Sequence, residues 1–343
     1  MTLFRLTFLL LFSLLVFPTD SWSQKFRKYQ FTSVNMSNSP LETNHIRDIL
    51  FDEEGGAYIA TGGLGLIYWK DETWIYLQHP DLPQTGWFND LEWGPEGWLW
   101  IAGGQEVILY HPKRKKWSSL PFPIQSFHIT VNSKGVMICG GGNPGSNQGF
   151  YQWDGSQWIG VDRGHRDVMG LYVCQNDDVL ISYRDGTWRY PASAKGYYNL
   201  SSEQVSEMAF YELGEDSHGT LWGASYSKLK LHSLVGDQWQ THVGVPSRMK
   251  YKYRDEPTYS AHNMLVLPDD RVVVSTQFMG FLAIWDGEDW EAYGLPLLKS
   301  HGGIQRVVQH PDGSIWCATW DSGLAIFHPY HQSYQFGTIY EPR

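Results

Sequence analysis

Cysteine is scarce in this chain. There are three in 343 residues, Cys139, Cys174 and Cys317, far apart and odd in number. That set implies no disulfide framework, and each lies in an apolar, strand-like stretch where a small buried side chain is expected. Basic residues are also few: 26 Lys and Arg against 36 Asp and Glu give a formal net charge of -10. With no cationic surplus to displace counterions, nucleic acid is not expected as a partner. After the first 23 residues no apolar run approaches the ~20 residues of a membrane helix. The glycine clusters Gly62-Gly63, Gly103-Gly104 and Gly140 to Gly142 are not followed by Lys-Ser/Thr, so none is a phosphate loop. They read instead as tight turns. Gly-x-Ser-x-Gly, His-Glu-x-x-His and calcium-loop motifs are missing, and no cofactor is expected.

What is abundant is aromatic and turn-forming: 17 Trp, 20 Tyr and 35 Gly, with only 18% charged residues. That mixture suits many short strands joined by tight turns and disfavours a helical bundle. The first 23 residues have the layout of a signal peptide. Arg5 supplies a positive start, Leu6 to Phe17 an apolar run, and Ser21-Trp22-Ser23 small residues at a cleavage site before Gln24. The expected mature chain, 24–343, is secreted or periplasmic, with no membrane span after cleavage.

The strongest signal is internal repetition. A polar turn with Asp or Gly leads into a short apolar or Trp-rich strand, then Gly or Thr. Clear copies are Asp52-Glu-Glu-Gly-Gly-Ala-Tyr-Ile-Ala-Thr61, Pro95-Glu-Gly-Trp-Leu-Trp-Ile-Ala-Gly103 and Pro311-Asp-Gly-Ser-Ile-Trp-Cys-Ala-Thr319. Weaker copies begin at Asn132, Asn176, Asp216 and Pro268, making seven. A closing aromatic recurs in step at Trp74, Trp117, Trp158, Tyr198, Trp239, Trp290 and Tyr334. Spacings of about 40 to 50 residues are those of four-stranded propeller blades. In the first unit the strands are expected at Ile46 to Phe51, Ala57 to Thr61, Gly65 to Trp69 and Trp74 to Leu77. Seven such units predict an all-β, seven-bladed β-propeller of four-stranded antiparallel blades. Lys25 to Phe31 reads as an outer strand that pairs with the last blade beside Tyr334, as its outer strand or as a fifth.

The phrase ending Leu-Trp-Ile-Ala-Gly-Gly or Ile-Trp-Cys-Ala-Thr, with its preceding Asp-Gly and following aromatic strand, resembles the two-component regulator propeller repeat. That family provides extracytoplasmic sensor propellers of bacterial hybrid histidine kinases, often linked to polysaccharide use. The resemblance implies a sensor or binding module, here as a stand-alone propeller, with a membrane sensor protein as a candidate partner.

In a propeller, the loops leading into each inner strand share a face with the loops joining the second and third strands, and the central channel opens there. The residues expected to bind ligand are Trp87, His128, Arg184, Tyr251, Tyr253, Arg254, His301 and Trp320. Trp and Tyr offer stacking faces, while His and Arg offer hydrogen bonds and charge. The basic-aromatic insertion Ser247 to Tyr259 points to an anionic group, so the expected ligand is a carbohydrate or anionic oligosaccharide. A lyase acting on acidic polysaccharide is the catalytic alternative, with His165, Arg166, Tyr259 and His262 as base and enolate-stabilising candidates. His45, His128, His262 and His301 are weak metal candidates in that scheme, although no metal is expected. A protein-interaction scaffold is the second alternative. A further basic run, Lys113-Arg114-Lys115-Lys116, reads as a solvated turn on the opposite face.

Overall fold

The computed structural model describes residues 29–78, 87–142, 149–161, 168–192, 202–225, 230–242, 261–276, 281–294 and 303–329. The expected signal segment 1–23 lies outside them. The described chain is nearly all β: 27 strands in six antiparallel sheets, with a single 3-10 turn at Pro95–Gly97.

Strand β1 (Tyr29–Val34) is set apart from its neighbours in sequence. The first sheet holds β2 (Ile46–Phe51), β3 (Ala57–Thr61), β4 (Leu66–Lys70) and β5 (Thr73–Leu77) in chain order, within a residue of the expected spans. Next come β6 (Asp90–Trp93), β7 (Leu99–Ala102), β8 (Gly104–His111) and the 16-residue β9 (Lys116–Val131). With β10 (Met137–Gly141), β11 (Phe150–Trp153) and β12 (Trp158–Gly160) they form one seven-stranded sheet. Two repeat units merge here. The first half of β9 pairs with β8 through Pro121, and its second half pairs with β10 from Ser126 onward.

The remaining sheets have four strands each. One is β13 (Gly170–Val173), β14 (Val179–Tyr183), β15 (Gly186–Tyr190) and β16 (Glu203–Ser206). The next is β17 (Phe210–Glu215), β18 (Leu221–Ser225), β19 (Lys230–Val235) and β20 (Gln238–His242). Then follow β21 (Ala261–Val266), β22 (Val272–Thr276), β23 (Phe281–Trp285) and β24 (Trp290–Gly294). The last sheet joins β25 (Ile304–Gln309), β26 (Ile315–Thr319) and β27 (Leu324–Pro329) to β1, in the order β1-β27-β26-β25. The amino-terminal strand therefore pairs directly with β27, Phe31 opposite Phe327, and is the fourth strand of that sheet. Tyr334, its expected neighbour, lies outside the described residues.

The recurring apolar phrase has a physical explanation. It is the second strand of each unit, and β3, β7, β10, β14, β18 and β26 are buried at every position. A strand covered on both faces reads as a continuous apolar run rather than an alternation. The closing aromatics sit opposite a residue of the third strand: Trp69 faces Trp74, Tyr110 faces Trp117, Trp153 faces Trp158 and Trp285 faces Trp290. Their ring centroids are 6.3, 4.5, 5.3 and 5.3 Å apart, and such cross-strand aromatic pairs add roughly 0.5–1.5 kcal/mol each beyond burial. In the fourth unit the outer strand is β16, downstream of the expected aromatic Tyr198, which lies outside the described residues. Val205 of β16 is held because its carbonyl accepts from the Trp239 indole at 2.9 Å.

Seven apolar clusters occur among the described residues, each between consecutive repeat units. One of them joins Trp316 and Ile326 of the last sheet to Ile46, Ile59 and Ile67 of the first. The inner strands touch in series, and β2 contacts both β6 and β25. Polar clasps link neighbours at the other end of the strands. Ser133 donates to Asp177 through its amide (2.8 Å) and hydroxyl (2.6 Å), and Ser217 does the same to Asp270 (2.8 and 2.7 Å). All three cysteines are buried, as expected from their apolar settings, and all three are unpaired.

Candidate functional site

The inner strands begin around a cavity of about 490 Å3. Five of them carry a bulge near its mouth, where the register shifts around Arg47 in β2, Phe127 in β9, Tyr211 in β17, His262 in β21 and Gln305 in β25. In a regular strand, consecutive side chains point to opposite faces. A bulge sets two neighbours toward one side, so Arg47 with Asp48, Tyr211 with Glu212, and Gln305 with Arg306 all line the cavity. Asn89, Asp90, Phe127, His128, Met169 and Asn263 complete this lining. The fourth unit contributes Gly170 at the equivalent position. A Cβ there would meet the Phe210 carbonyl at 2.8 Å, and this unit lines the cavity through Val168, Met169 and Arg184 instead.

The deeper layer is an ionic cluster. Arg306 Nη1 donates to Glu212 Oε1 at 3.0 Å, and Arg306 Nε lies 3.2 Å from Asp48 Oδ1. Asp48 is 2% exposed, and its other oxygen accepts from the Leu91 amide at 2.7 Å. Asp90, from the neighbouring unit, accepts from the Ile129 amide at 2.9 Å. Burial raises the Asp48 carboxyl well above the usual carboxylate range, with Asp90 adding to the effect and Arg306 opposing it. Glu212 and Glu92 are pushed up to about 7, again chiefly by burial. Arg306 is raised further above its ordinary value by Glu212, Asp48 and Asp90, so it stays charged. Burial lowers the pKa of His128 and favours its neutral form.

The mouth itself is aromatic and cationic. Trp87 and Trp320 are 50% and 41% exposed. Their ring centroids are 6.1 Å apart, with the His45 ring 5.0 Å from Trp87 and 4.1 Å from Trp320. Gly62 makes room for that imidazole, since a Cβ there would fall 2.3 Å from His45 Nδ1. Burial, then Arg47, lowers the His45 pKa to about 4, so the ring is neutral and acts as an aromatic spacer. The Arg47 guanidinium lies 5.5 Å from the Trp320 ring centroid and is fixed by hydrogen bonds to Gln305 (3.0 Å) and Asn89 (3.3 Å). Arg184, exposed in the turn between β14 and β15, lines the same cavity.

Of the expected ligand-binding residues, the structure brings His128, Arg184 and Trp320 to this cavity and Trp87 to its rim. Tyr251, Tyr253, Arg254 and His301 lie outside the described residues, as do the catalytic candidates His165, Arg166 and Tyr259. The backbone of His262 is in β21, and its side chain is likewise outside. Among the described residues, His45 and His128 belong to no group of three potential metal ligands. The group that does occur, Asp216, His218 and Asp270, lies at the clasp between sheets on the opposite face. The reading from sequence missed Arg47, Asp48, Asp90, Glu212 and Arg306. Their signal was a charged residue early in each otherwise apolar inner strand, as in Ile46-Arg-Asp-Ile-Leu-Phe51.

No family model and no curated protein matches this chain. Solved structures do resemble it. The extracellular domain of BT4673 from B. thetaiotaomicron, assigned to a hybrid two-component system, aligns with a TM-score of 0.69 at 13% identity over 87% of this chain and 39% of that one. The corresponding domain of BT3049 from the same organism gives 0.67 at 14%, over 87% and 42%. This chain therefore spans about two fifths of those domains. The WD40 β-propeller domain of Doa1 gives 0.65 at 13%, over 87% and 98%. At such identities the likeness shows the fold, a β-propeller, and nothing of the ligand. No helix among the described residues is long and apolar enough to cross a membrane.

Proposed function

We propose that the chain is an exported, closed seven-bladed propeller that binds an anionic carbohydrate at its central mouth, without catalysis, as a sensor or binding module. Closure is supported by the apolar cluster between the last and first sheets and by β1 completing the last sheet. An extracytoplasmic setting agrees with the signal-like leader and with the extracellular domains of BT4673 and BT3049. A membrane sensor protein is the proposed partner for signalling.

One observation carries the ligand reading: two exposed tryptophans and two arginines converge on one mouth of a 490 Å3 cavity. Sugar rings present C–H faces that stack on indoles, and a uronate or sulfate group pairs with guanidinium. Beneath the arginines, the raised pKa values of Asp48 and Glu212 reduce the negative charge that would repel an anion.

Calorimetric titration of the chain from Gln24 onward with acidic oligosaccharides tests this. Saturable heat is expected, and Trp320→Ala or Arg184→Ala should each weaken binding at least tenfold, ~1.4 kcal/mol. Silence across acidic and neutral oligosaccharides, or binding indifferent to both substitutions, refutes the reading. Heat that continues at a steady rate after each injection would replace it with the lyase.

A further inference from the structure

The inner strands run from the ligand mouth to an opposite face, where the turns between first and second strands meet those between third and fourth. A second cleft, about 1820 Å3, opens there between the β2–β5 sheet and the β6–β9 strands. Its two kinds of turn carry opposite charge. Lys113, Arg114 and Lys115, between β8 and β9, and Lys116, which opens β9, are all exposed, and their side chains have no ion pair among the described residues. Glu53 and Glu96, on the β2–β3 turn and the 3-10 turn, are exposed and equally unpaired, whereas Glu54 is taken by Lys70. Between them lie Tyr68, Tyr76, Trp93 and Trp117, together with Ile75, 46% exposed on the edge strand β5. That strand, Thr-Trp-Ile-Tyr-Leu, carries no charge to discourage edge contact.

The basic turn is also conformationally costly as built. Lys115 holds a left-handed φ of 50°, a place where glycine or asparagine is the easier choice. A uniform polyanion is a poor fit, because the acidic turns line the same cleft. What fits is a surface with the same two charges in reverse order, and this chain presents one itself.

We propose that this face pairs with a second copy of the chain about a two-fold axis, each basic turn seated against the acidic turns of the other. Such an isologous contact is self-complementary by symmetry, and the exposed Ile75 lies near its centre. The net charge of -10 on each copy opposes approach only weakly, since charges separated by more than ~8 Å are screened at physiological ionic strength. The close turn-to-turn contacts then decide. This inference is independent of the ligand.

Sedimentation velocity at 1 to 100 µM in 150 mM salt tests it, using the chain from Gln24 onward. The wild type should dimerise. Lys113→Glu with Arg114→Glu, and separately Glu53→Lys with Glu96→Lys, should each raise the dissociation constant at least ~30-fold. All four side chains are exposed, so folding should persist, as circular dichroism would verify. Mixing the two monomeric variants should restore a dimer, because both turn-to-turn contacts are attractive only in the mixed pair. A wild type that stays monomeric at 100 µM, a dimer indifferent to either reversal, or a mixture that stays monomeric would each overturn the proposal.

Discussion

Replacing Glu212 by glutamine would make the charge state of the central cluster measurable. In the native protein this carboxyl titrates at about 7, against 4.5 when exposed, because burial outweighs the help of Arg306. The group binds its proton more tightly folded than unfolded. Its stabilising effect is therefore complete below pH 4.5 and is lost as the pH rises through 7. At 1.36 kcal/mol per pH unit the whole effect is roughly 3 kcal/mol, of which ~2.5 kcal/mol falls between pH 5 and pH 8. Glutamine imitates the protonated form at every pH, and its carbonyl can still accept from Arg306. Urea unfolding of wild type and Glu212→Gln at both pH values gives the readout. The stability of the variant relative to wild type should rise by ~2.5 kcal/mol from pH 5 to pH 8. Comparing the two proteins at each pH cancels the opposing contribution of His45 and His232, whose depressed pKa values make the fold gain stability as pH rises through 4 to 6.5. A relative stability that does not change with pH, or that falls, would show that Glu212 is an ordinary ionised partner of Arg306 and refute the reasoning.

The edge-closing strand should also be worth measuring. Tyr29 packs edge-on against Tyr293 at 5.9 Å, and its hydroxyl accepts from Arg271 at 3.1 Å, so Tyr29→Ala should lower unfolding stability by ~3 kcal/mol, and a loss under ~1 kcal/mol would remove β1 from any role in closure. The thiols give a separate check on the core. Cys139 and Cys317 are fully covered, and burial pushes Cys174 up to about 12. An aromatic disulfide reagent at pH 8 should therefore label none in the native protein and all three in denaturant. Rapid labelling of any one under native conditions would contradict the packing.

The sheets were legible because their signal is local. An apolar second strand between neighbouring sheets must be hydrophobic on both faces, so Leu99-Trp-Ile-Ala102 and Ile315-Trp-Cys-Ala-Thr319 announce themselves. The closing aromatics mark the outer strands by the same logic. In the fourth unit Glu203–Ser206 is the outer strand, since aromatic character alone does not say which polar stretch will pair. The position of Trp87, Arg184 and Trp320 at the mouth was legible because they lie outside the named strands, where exposed aromatic and charged groups need no register argument.

The sequence by itself determined the repeat, its period, the buried strands and the placement of aromatic and basic groups in turns. These depend on residue type and short-range spacing, which hydrophobic burial and strand alternation make visible. Only the tertiary structure decided that Arg47 and Asp48, or Gln305 and Arg306, turn to the same side, since bulges cancel the alternation on which such a reading relies. It alone brought Asp48, Asp90, Glu212 and Arg306 together from four repeat units, 42 to 258 residues apart in the chain. The raised carboxyl pKa values arise from that convergence and from exclusion of water, neither of which any single repeat contains.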